Sequence, residues 1–190
     1  MAKVLLSLHG FHSSPGSLKA QQMASYLAEH FPEITFLCPQ LPCLPEQMWE
    51  VVESVFEQYS GAEIAVMGSS LGGYLAAKAS EQYGVKAVLI NPAVFPYRLL
   101  QQYAGAQTHP YTQKPYQIDE NYLQQLSALD TKVLSAPEKC WLLLQKEDEV
   151  LNYQEALDKY RHCKITCEEG GDHSFIGFER FLPAIIAFLF

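Results

Sequence analysis

Short apolar runs alternate along the chain with longer stretches in which apolar residues recur at helical spacing. Runs such as Ile64–Met67 and Trp141–Leu144 are continuous rather than alternating, which is typical of strands covered on both faces of a parallel sheet. The predicted strands are Lys3–Leu8, Ile34–Leu37, Glu63–Met67, Lys86–Ile90, Cys140–Gln145 and Lys164–Glu168. This pattern predicts an α/β fold with a mostly parallel central sheet of about six strands.

Helical patterns separate these strands. The predicted helices are Ser17–His30, Glu46–Tyr59, Leu71–Tyr83, Tyr153–Tyr160 and Ile176–Phe190. Strand–helix alternation of this kind favours right-handed crossovers, which place helices on both faces of the sheet. We therefore expect a three-layer sandwich, with the apolar end of the chain docked on the sheet as a helix.

The segment from about residue 92 to 138 breaks this alternation. It contains five prolines and five tyrosines, and its one helical pattern covers Asp119–Leu129. Long excursions within compact domains usually serve as lids or binding loops. We therefore expect a single domain over residues 1–190 with a lid-like excursion; a solvated insertion without a role is the alternative.

Composition and charge narrow the possible environments. The formal net charge of −8 disfavours nonspecific binding to nucleic acid or to an anionic membrane surface. The five cysteines are odd in number and lack Cys-x-x-Cys spacing, which indicates free thiols in a reducing compartment. The apolar run Val4–Leu8 is too short for a signal peptide core, and no stretch reaches membrane-spanning length. We expect a cytoplasmic protein without membrane insertion; its oligomeric state stays open.

The pentapeptide Gly68–Gly72 is the strongest chemical signal. It has the form Gly-x-Ser-x-Gly, directly after a predicted strand and directly before a predicted helix. In this setting the serine occupies a tight turn that leaves room only for glycine neighbours and projects the hydroxyl beyond the sheet. We therefore predict that Ser70 is a nucleophile.

A serine hydroxyl needs a neighbouring base, and the chain offers six histidines. His173 is the best candidate because it lies in a glycine-rich loop after the last predicted strand, where it can return to the carboxyl edge of the sheet. The third group is a carboxylate that orients the imidazole. Asp148 is preferred and Glu149 is the runner-up, since both follow the strand Cys140–Gln145. The order Ser70, Asp148, His173 is that of the α/β hydrolases.

Two backbone amides are candidates for an oxyanion hole. Leu71 follows the nucleophile, and Phe11 lies in the loop after the first strand. Residues predicted to line the substrate site are His12, Tyr74, Phe95 and Tyr97, the last two as part of an apolar wall made by the excursion. A metal site is not favoured either at His9 and His12 or at His162, Cys163 and Cys167.

Four segments together resemble the YqiA-type (UPF0227) family of bacterial esterases. They are His9-Gly10-Phe11-x-Ser13-Ser14-Pro15, Gly68-Ser69-Ser70-Leu71-Gly72-Gly73-Tyr74, Ile90-Asn91-Pro92-Ala93 and Gly170-Gly171-Asp172-His173-x-Phe175. The resemblance covers almost the whole chain and implies a minimal α/β-hydrolase fold that lacks the first two strands of larger members. It implies Ser70, Asp148 and His173 as a triad in a cytoplasmic enzyme that acts on acyl esters. The chain departs from the family at Lys146-Glu147, where a Thr-Gly pair is more common.

The sequence therefore predicts a serine esterase that needs no cofactor, with a small acyl ester as its substrate. One alternative is an acyl-CoA thioesterase, which needs cations near the site; Arg98 and Lys114 are the candidates. A remoter alternative is a binding protein that retains the fold without catalysis. A nucleotide-binding function is disfavoured, because the chain contains no glycine-rich phosphate-binding motif.

Overall fold

A six-stranded parallel sheet forms the centre of the computed structural model, which describes residues 1–190. The strands are β1 (Lys3–Leu8), β2 (Ile34–Leu37), β3 (Glu63–Ser69), β4 (Ala87–Ile90), β5 (Gly105–Thr108), β6 (Pro115–Ile118), β7 (Cys140–Gln145) and β8 (Lys164–Glu168). The central sheet has the order β2-β1-β3-β4-β7-β8, and β5 pairs with β6 in a separate antiparallel hairpin. The predicted α/β fold with six central strands is confirmed.

Helices cover both faces of the sheet. They are α1 (Leu18–His30), α2 (Pro45–Gln58), α3 (Leu71–Tyr83), α4 (Pro96–Leu99), α5 (Glu120–Ala128), α6 (Tyr153–Lys159) and α7 (Leu182–Leu189). The last predicted helix starts later than expected, because a loop and a short 3-10 turn over Phe178–Phe181 precede α7. None of these helices combines the length and the apolarity needed to cross a membrane.

Successive side chains of each strand point to opposite faces of the sheet and pack into two separate hydrophobic cores. Leu6 and Val66 pack with α2 and α3, whereas Leu5 and Met67 pack with α1 and α7 on the opposite face. Burying one such aliphatic side chain stabilises the fold by roughly 1.5–3 kcal/mol relative to its exposure. The continuous apolar runs of the strands therefore reflect burial on both sides.

The excursion between β4 and β7 packs on the α2/α3 face. Ile118, Tyr122 and Leu126 are each at most 1% exposed and belong to that core. The predicted helix over Asp119–Leu129 is confirmed as α5, whose first turn is capped by the Asp119 carboxylate accepting from the Tyr122 N–H at 2.9 Å. The β5–β6 hairpin was not predicted, because its strands lack a clear apolar alternation.

Parallel topology brings the functional loops together. The loops after β1, β3, β7 and β8 all leave the carboxyl edge of the sheet, since the strands run in one direction. They carry the residues that the sequence singled out from four distant parts of the chain.

Candidate active site

Ser70 occupies a strained turn between β3 and α3. Its backbone has φ 56° and ψ −120°, in a region that non-glycine residues rarely adopt. A Cβ at Gly68 would lie 2.0 Å from the Gly72 carbonyl oxygen, and one at Gly72 would lie 1.9 Å from the Leu8 carbonyl oxygen. The Gly-x-Ser-x-Gly spacing is therefore required by backbone contacts that leave no room for a side chain.

A continuous line of hydrogen bonds joins Ser70, His173 and Asp148. The Ser70 Oγ lies 3.1 Å from His173 Nε2, and His173 Nδ1 lies 2.8 Å and 3.0 Å from the two carboxylate oxygens of Asp148. The Asp148 side chain is 2% exposed and the His173 side chain 23%. Because a carboxylate can only accept, Nδ1–H donates to Asp148, which leaves Nε2 free to accept from the serine hydroxyl.

Asp148 and Glu149, the two candidates for the carboxylate that orients His173, make different contacts in the structure. Asp148 contacts the imidazole ring, and its Oδ1 also accepts from the backbone N–H groups of Val150 (2.9 Å) and Leu151 (2.8 Å). Glu149 instead accepts from the backbone N–H of His173 at 2.9 Å. The ring is thus oriented by Asp148, while Glu149 fastens the loop that carries the ring.

Asn91, which the sequence did not single out as a site residue, supports the His173 loop from β4. It is 1% exposed and has φ 38°. Its side-chain amide donates to the carbonyls of Asp172 (2.9 Å) and His173 (3.3 Å), and its Oδ1 accepts from the Gln145 N–H at 3.0 Å. The side chain therefore links β7 to the loop.

Gln145 fastens the same loop at a second point. Its Oε1 accepts from the N–H groups of Asp172 (3.2 Å) and Ile176 (2.9 Å), and its Nε2 donates to the Ile176 carbonyl at 2.8 Å and to Glu168 at 2.9 Å. At 2% exposure such an amide is stable only when it is hydrogen-bonded. The sequence signal that could have identified Gln145 is its position as a polar residue at the end of an apolar strand.

Two backbone amides lie beside Ser70. The Leu71 N–H starts α3, where the first amides have no intrahelical partner and the helix dipole favours negative charge. The Phe11 N–H makes no hydrogen bond within the protein. The loop that carries Phe11 packs against the nucleophile, because a Cβ at Gly10 would lie 3.3 Å from the Ser70 Cβ. The Phe11 and Leu71 amides therefore stay the predicted donors of an oxyanion hole.

His9 is a neutral, buried histidine below this loop. Its Nε2 accepts from the Leu41 N–H (3.0 Å) and lies 3.1 Å from the Gln40 amide nitrogen, so Nδ1 carries the proton and donates to the Gly10 carbonyl at 2.9 Å. Burial lowers the pKa of His9, and the bond to Gly10 only partly opposes this. No group of three or more His, Cys, Asp and Glu side chains is arranged to hold a metal ion.

We expect His9 to make the fold less stable in mild acid. The unfolded chain binds a proton below the ordinary histidine pKa of about 6.5, whereas folded His9 excludes it. Stability is therefore lost as pH falls through about 6.5 towards the lower pKa of folded His9, by about 1.4 kcal/mol in total per unit of difference between the two pKa values. The free energy of unfolding in urea at pH 7.5, 6.5 and 5.5 tests this, with a shallower pH slope expected for His9→Asn.

The matched control for this measurement is His30→Asn, at an exposed position at the end of α1. It should retain the wild-type slope. Burial also lowers the pKa of His12 and of His109, so some slope persists in His9→Asn. Identical slopes for the wild type and His9→Asn would contradict the prediction.

Two of the predicted lining residues, His12 and Tyr74, do not line the cavity beside Ser70. The His12 ring stacks on Phe11 with centroids 4.0 Å apart, and its Nε2 lies 2.7 Å from the hydroxyl oxygen of Tyr116 on the hairpin. Tyr74 is 1% exposed, and its hydroxyl donates to the Leu126 carbonyl at 2.6 Å. The prediction for Tyr74 is corrected: the inner face of α3 carries its ring into the core rather than to the site.

Phe95 and Tyr97 also point elsewhere. The Arg98 guanidinium stacks over the Phe95 ring at 4.2 Å, and the Tyr97 hydroxyl donates to Asp130 at 3.3 Å. Asp130 forms a largely buried ion pair with Lys159 at 2.5 Å. The chain turns into the short helix α4 at Phe95, and neither aromatic ring lines the cavity beside Ser70.

A cavity of about 170 Å³ opens beside the nucleophile; we call it the Ser70 cavity. His9, Phe11, Lys19, Met67, Ser70 and His173 are among its lining residues. A separate cavity of about 670 Å³ lies between the loop after β2 and the excursion. Its wall combines amide side chains such as Gln47, Gln117 and Gln125 with apolar ones. The excursion lines this cavity and not the Ser70 cavity, so the expected apolar wall beside Ser70 is corrected.

Comparisons with known proteins place the fold. The model of a family described as uncharacterised protein family UPF0227 matches residues 4–190. A UPF0227 protein of Vibrio campbellii is 24% identical over 187 residues, 97% of this chain and 98% of the relative. Mouse alpha/beta hydrolase domain-containing protein 10 superposes with a TM-score of 0.74 at 16% identity, over 98% of this chain and 89% of that one. For the Pyrococcus furiosus esterase Pf2001 the TM-score is 0.67 at 15% identity, over 99% and 80%. The fold is that of the α/β hydrolases.

Proposed function

The chain belongs to the UPF0227 family, and from this premise we propose that it is a serine hydrolase that cleaves carboxylic esters through an acyl-enzyme intermediate. The observation that carries the proposal is the line of hydrogen bonds from Asp148 through His173 to the Ser70 Oγ. The α/β-hydrolase fold alone supports many functions, so it is these three side chains, and not the fold, that indicate ester hydrolysis. The esterase activity named for Pf2001, a protein of the same fold, is consistent with it.

The reaction begins when His173 Nε2 takes the hydroxyl proton of Ser70 and Ser70 Oγ attacks the ester carbonyl carbon. The oxyanion that forms is held by the Phe11 and Leu71 N–H groups. His173 then gives its proton to the leaving alcohol, and the acyl group remains on Ser70. The carboxylate of Asp148 stabilises the imidazolium and keeps Nδ1 protonated throughout.

Water completes the cycle in the second half-reaction. His173 Nε2 takes a proton from a water molecule, whose oxygen attacks the acyl carbon. The second tetrahedral intermediate uses the same two amides. Its collapse returns the proton to Ser70 Oγ and releases the carboxylic acid, so that atoms and protons balance without a cofactor.

Oxygen esters are favoured over CoA thioesters as substrates. A CoA ligand carries several negative charges and needs cations near the nucleophile. Arg98 stacks on Phe95 and Lys114 lines the larger cavity, so Lys19 is the one cation in the wall of the Ser70 cavity, and its single positive charge does not match the several negative charges of CoA. The proposed substrate is therefore a small acyl ester.

Labelling with a fluorophosphonate tests the nucleophile directly. We expect one covalent adduct per chain on Ser70, because an activated serine attacks the phosphorus atom and displaces fluoride. Peptide mapping by mass spectrometry, with fragmentation that separates Ser70 from Ser69, locates the adduct. The label should disappear in Ser70→Ala and fall strongly in His173→Ala.

Ser127→Ala, which changes an exposed serine on α5, is the matched control and should label fully. Circular dichroism shows whether each variant is folded. A stoichiometric adduct at another residue, or none on the folded wild type, would overturn the proposed function. Faster turnover of acyl-CoA than of p-nitrophenyl esters of equal chain length would favour the thioesterase alternative.

A further inference from the structure

Lys19 is the one lysine that lines the Ser70 cavity. It lies in the first turn of α1, and its ammonium group donates to the Ser174 carbonyl at 2.7 Å. Ser174 follows His173 and also lines the cavity. The ammonium group is therefore tied by its hydrogen bond to a residue that lines the same cavity as Ser70 and His173.

The charge of Lys19 is only partly compensated by the protein. No carboxylate lies within ion-pair distance of its Nζ, and its one hydrogen-bond acceptor is a neutral carbonyl. Asp172 raises the pKa of Lys19, but burial dominates and lowers it. Lys19 is half-buried, and two of its three N–H donors are unused by the protein.

The cavity is small, and serines are frequent among its lining residues. A volume of about 170 Å³ corresponds to roughly five or six water molecules. Ser13 and Ser17 add hydroxyl groups to its wall, and His9, the other titratable group beside Lys19 and His173, is held neutral by burial. The space thus fits a group of a few heavy atoms that accepts hydrogen bonds and carries negative charge.

We propose that the Ser70 cavity selects esters that carry a carboxylate, with the Lys19 ammonium group pairing with that carboxylate while Ser70 attacks the ester carbonyl. The inference rests on the proposed ester hydrolysis and specifies its substrate class. The carboxylate belongs either to the acyl part or to the alcohol part of the ester, and the experiment has one arm for each.

A purely structural role for Lys19 makes a different prediction. If the ammonium group only fastens the His173 loop through the Ser174 carbonyl, its loss slows the hydrolysis of every ester by the same factor. The decisive quantity is therefore the ratio of kcat/KM for a carboxylate ester to kcat/KM for its carboxamide isostere. General effects on the loop cancel in this ratio.

Two substrate pairs supply the two arms. The acyl arm compares p-nitrophenyl hydrogen adipate with its terminal carboxamide, and the alcohol arm compares 4-carboxyphenyl butyrate with 4-carbamoylphenyl butyrate. In one arm we expect Lys19→Met to lower the ratio by roughly 10- to 100-fold, the range for a hydrogen bond to a charged group. Lys19→Arg should retain most of the ratio, because it keeps the charge.

Lys132→Met is the matched control, since it removes one positive charge at an exposed position outside the Ser70 cavity. It should leave both ratios as in the wild type. An unchanged ratio in both arms for Lys19→Met, with all four esters hydrolysed, overturns this inference and leaves the proposed function standing. Failure of the folded wild type to hydrolyse any of the four esters overturns both.

Discussion

Exchange of Asp148 for asparagine is expected to lower kcat for ester hydrolysis about 10⁴-fold, the loss known for this change in Ser-His-Asp enzymes. The geometry explains why. Asp148 Oδ1 accepts from the N–H groups of Val150 and Leu151, so an asparagine would keep its carbonyl oxygen there. Its amide nitrogen would then take the place of Oδ2, 2.8 Å from His173 Nδ1. It would donate to Nδ1 and move the ring proton to Nε2, which could no longer accept the Ser70 proton.

Glu149→Gln is the matched comparison, because the glutamine keeps an oxygen that can accept from the His173 N–H. We expect a loss of at most about 10-fold, since the ring tautomer is unaffected. Initial rates with a p-nitrophenyl ester at saturation measure both effects, and thermal unfolding checks that each variant is folded. A larger loss in Glu149→Gln than in Asp148→Asn would assign the orienting role to Glu149.

The three principal site residues could be found from the sequence because topology places them. The segment around Ser70 requires glycine at fixed positions, and strand order predicts that the loops after β7 and β8 meet it. Sequence order could not separate Asp148 from Glu149. Adjacent residues in a loop point in different directions, and the direction depends on backbone hydrogen bonds such as the one from Leu151 to Asp148.

The positions of Asn91 and of the predicted lining residues could not be derived from the sequence, for a different reason. Asn91 contacts a loop 81 residues further along the chain, and a single sequence carries no record of such pairs. The prediction for Tyr74 was wrong because the first turns of α3 are buried on nearly every side. The sequence of this helix therefore does not show which side chains face the site and which face the core. Phe95 and Tyr97 follow the carboxyl end of β4, but the short helix α4 redirects them.

Replacement of Gly72 by alanine is expected to destabilise the fold by about 3 kcal/mol or more, at the upper end of overpacking effects. The new Cβ would lie 1.9 Å from the Leu8 carbonyl oxygen and 2.8 Å from that of His9. Both are backbone atoms, so no change of side-chain rotamer can relieve the overlap. The end of β1, with the loop that carries the Phe11 amide, must move away from α3.

Helix propensity alone predicts the opposite result for this substitution. Alanine is favoured over glycine within a helix by about 1 kcal/mol, so a local effect would stabilise α3. The overlap outweighs this gain, because the contact joins two packed elements that have no space to separate.

Gly61→Ala is the matched control, since a Cβ there meets nothing within 4 Å. Urea unfolding should place Gly61→Ala within about 0.5 kcal/mol of the wild type. Equal stability of Gly72→Ala and Gly61→Ala would show that β1 and α3 are not in the close contact that forms the Ser70 turn.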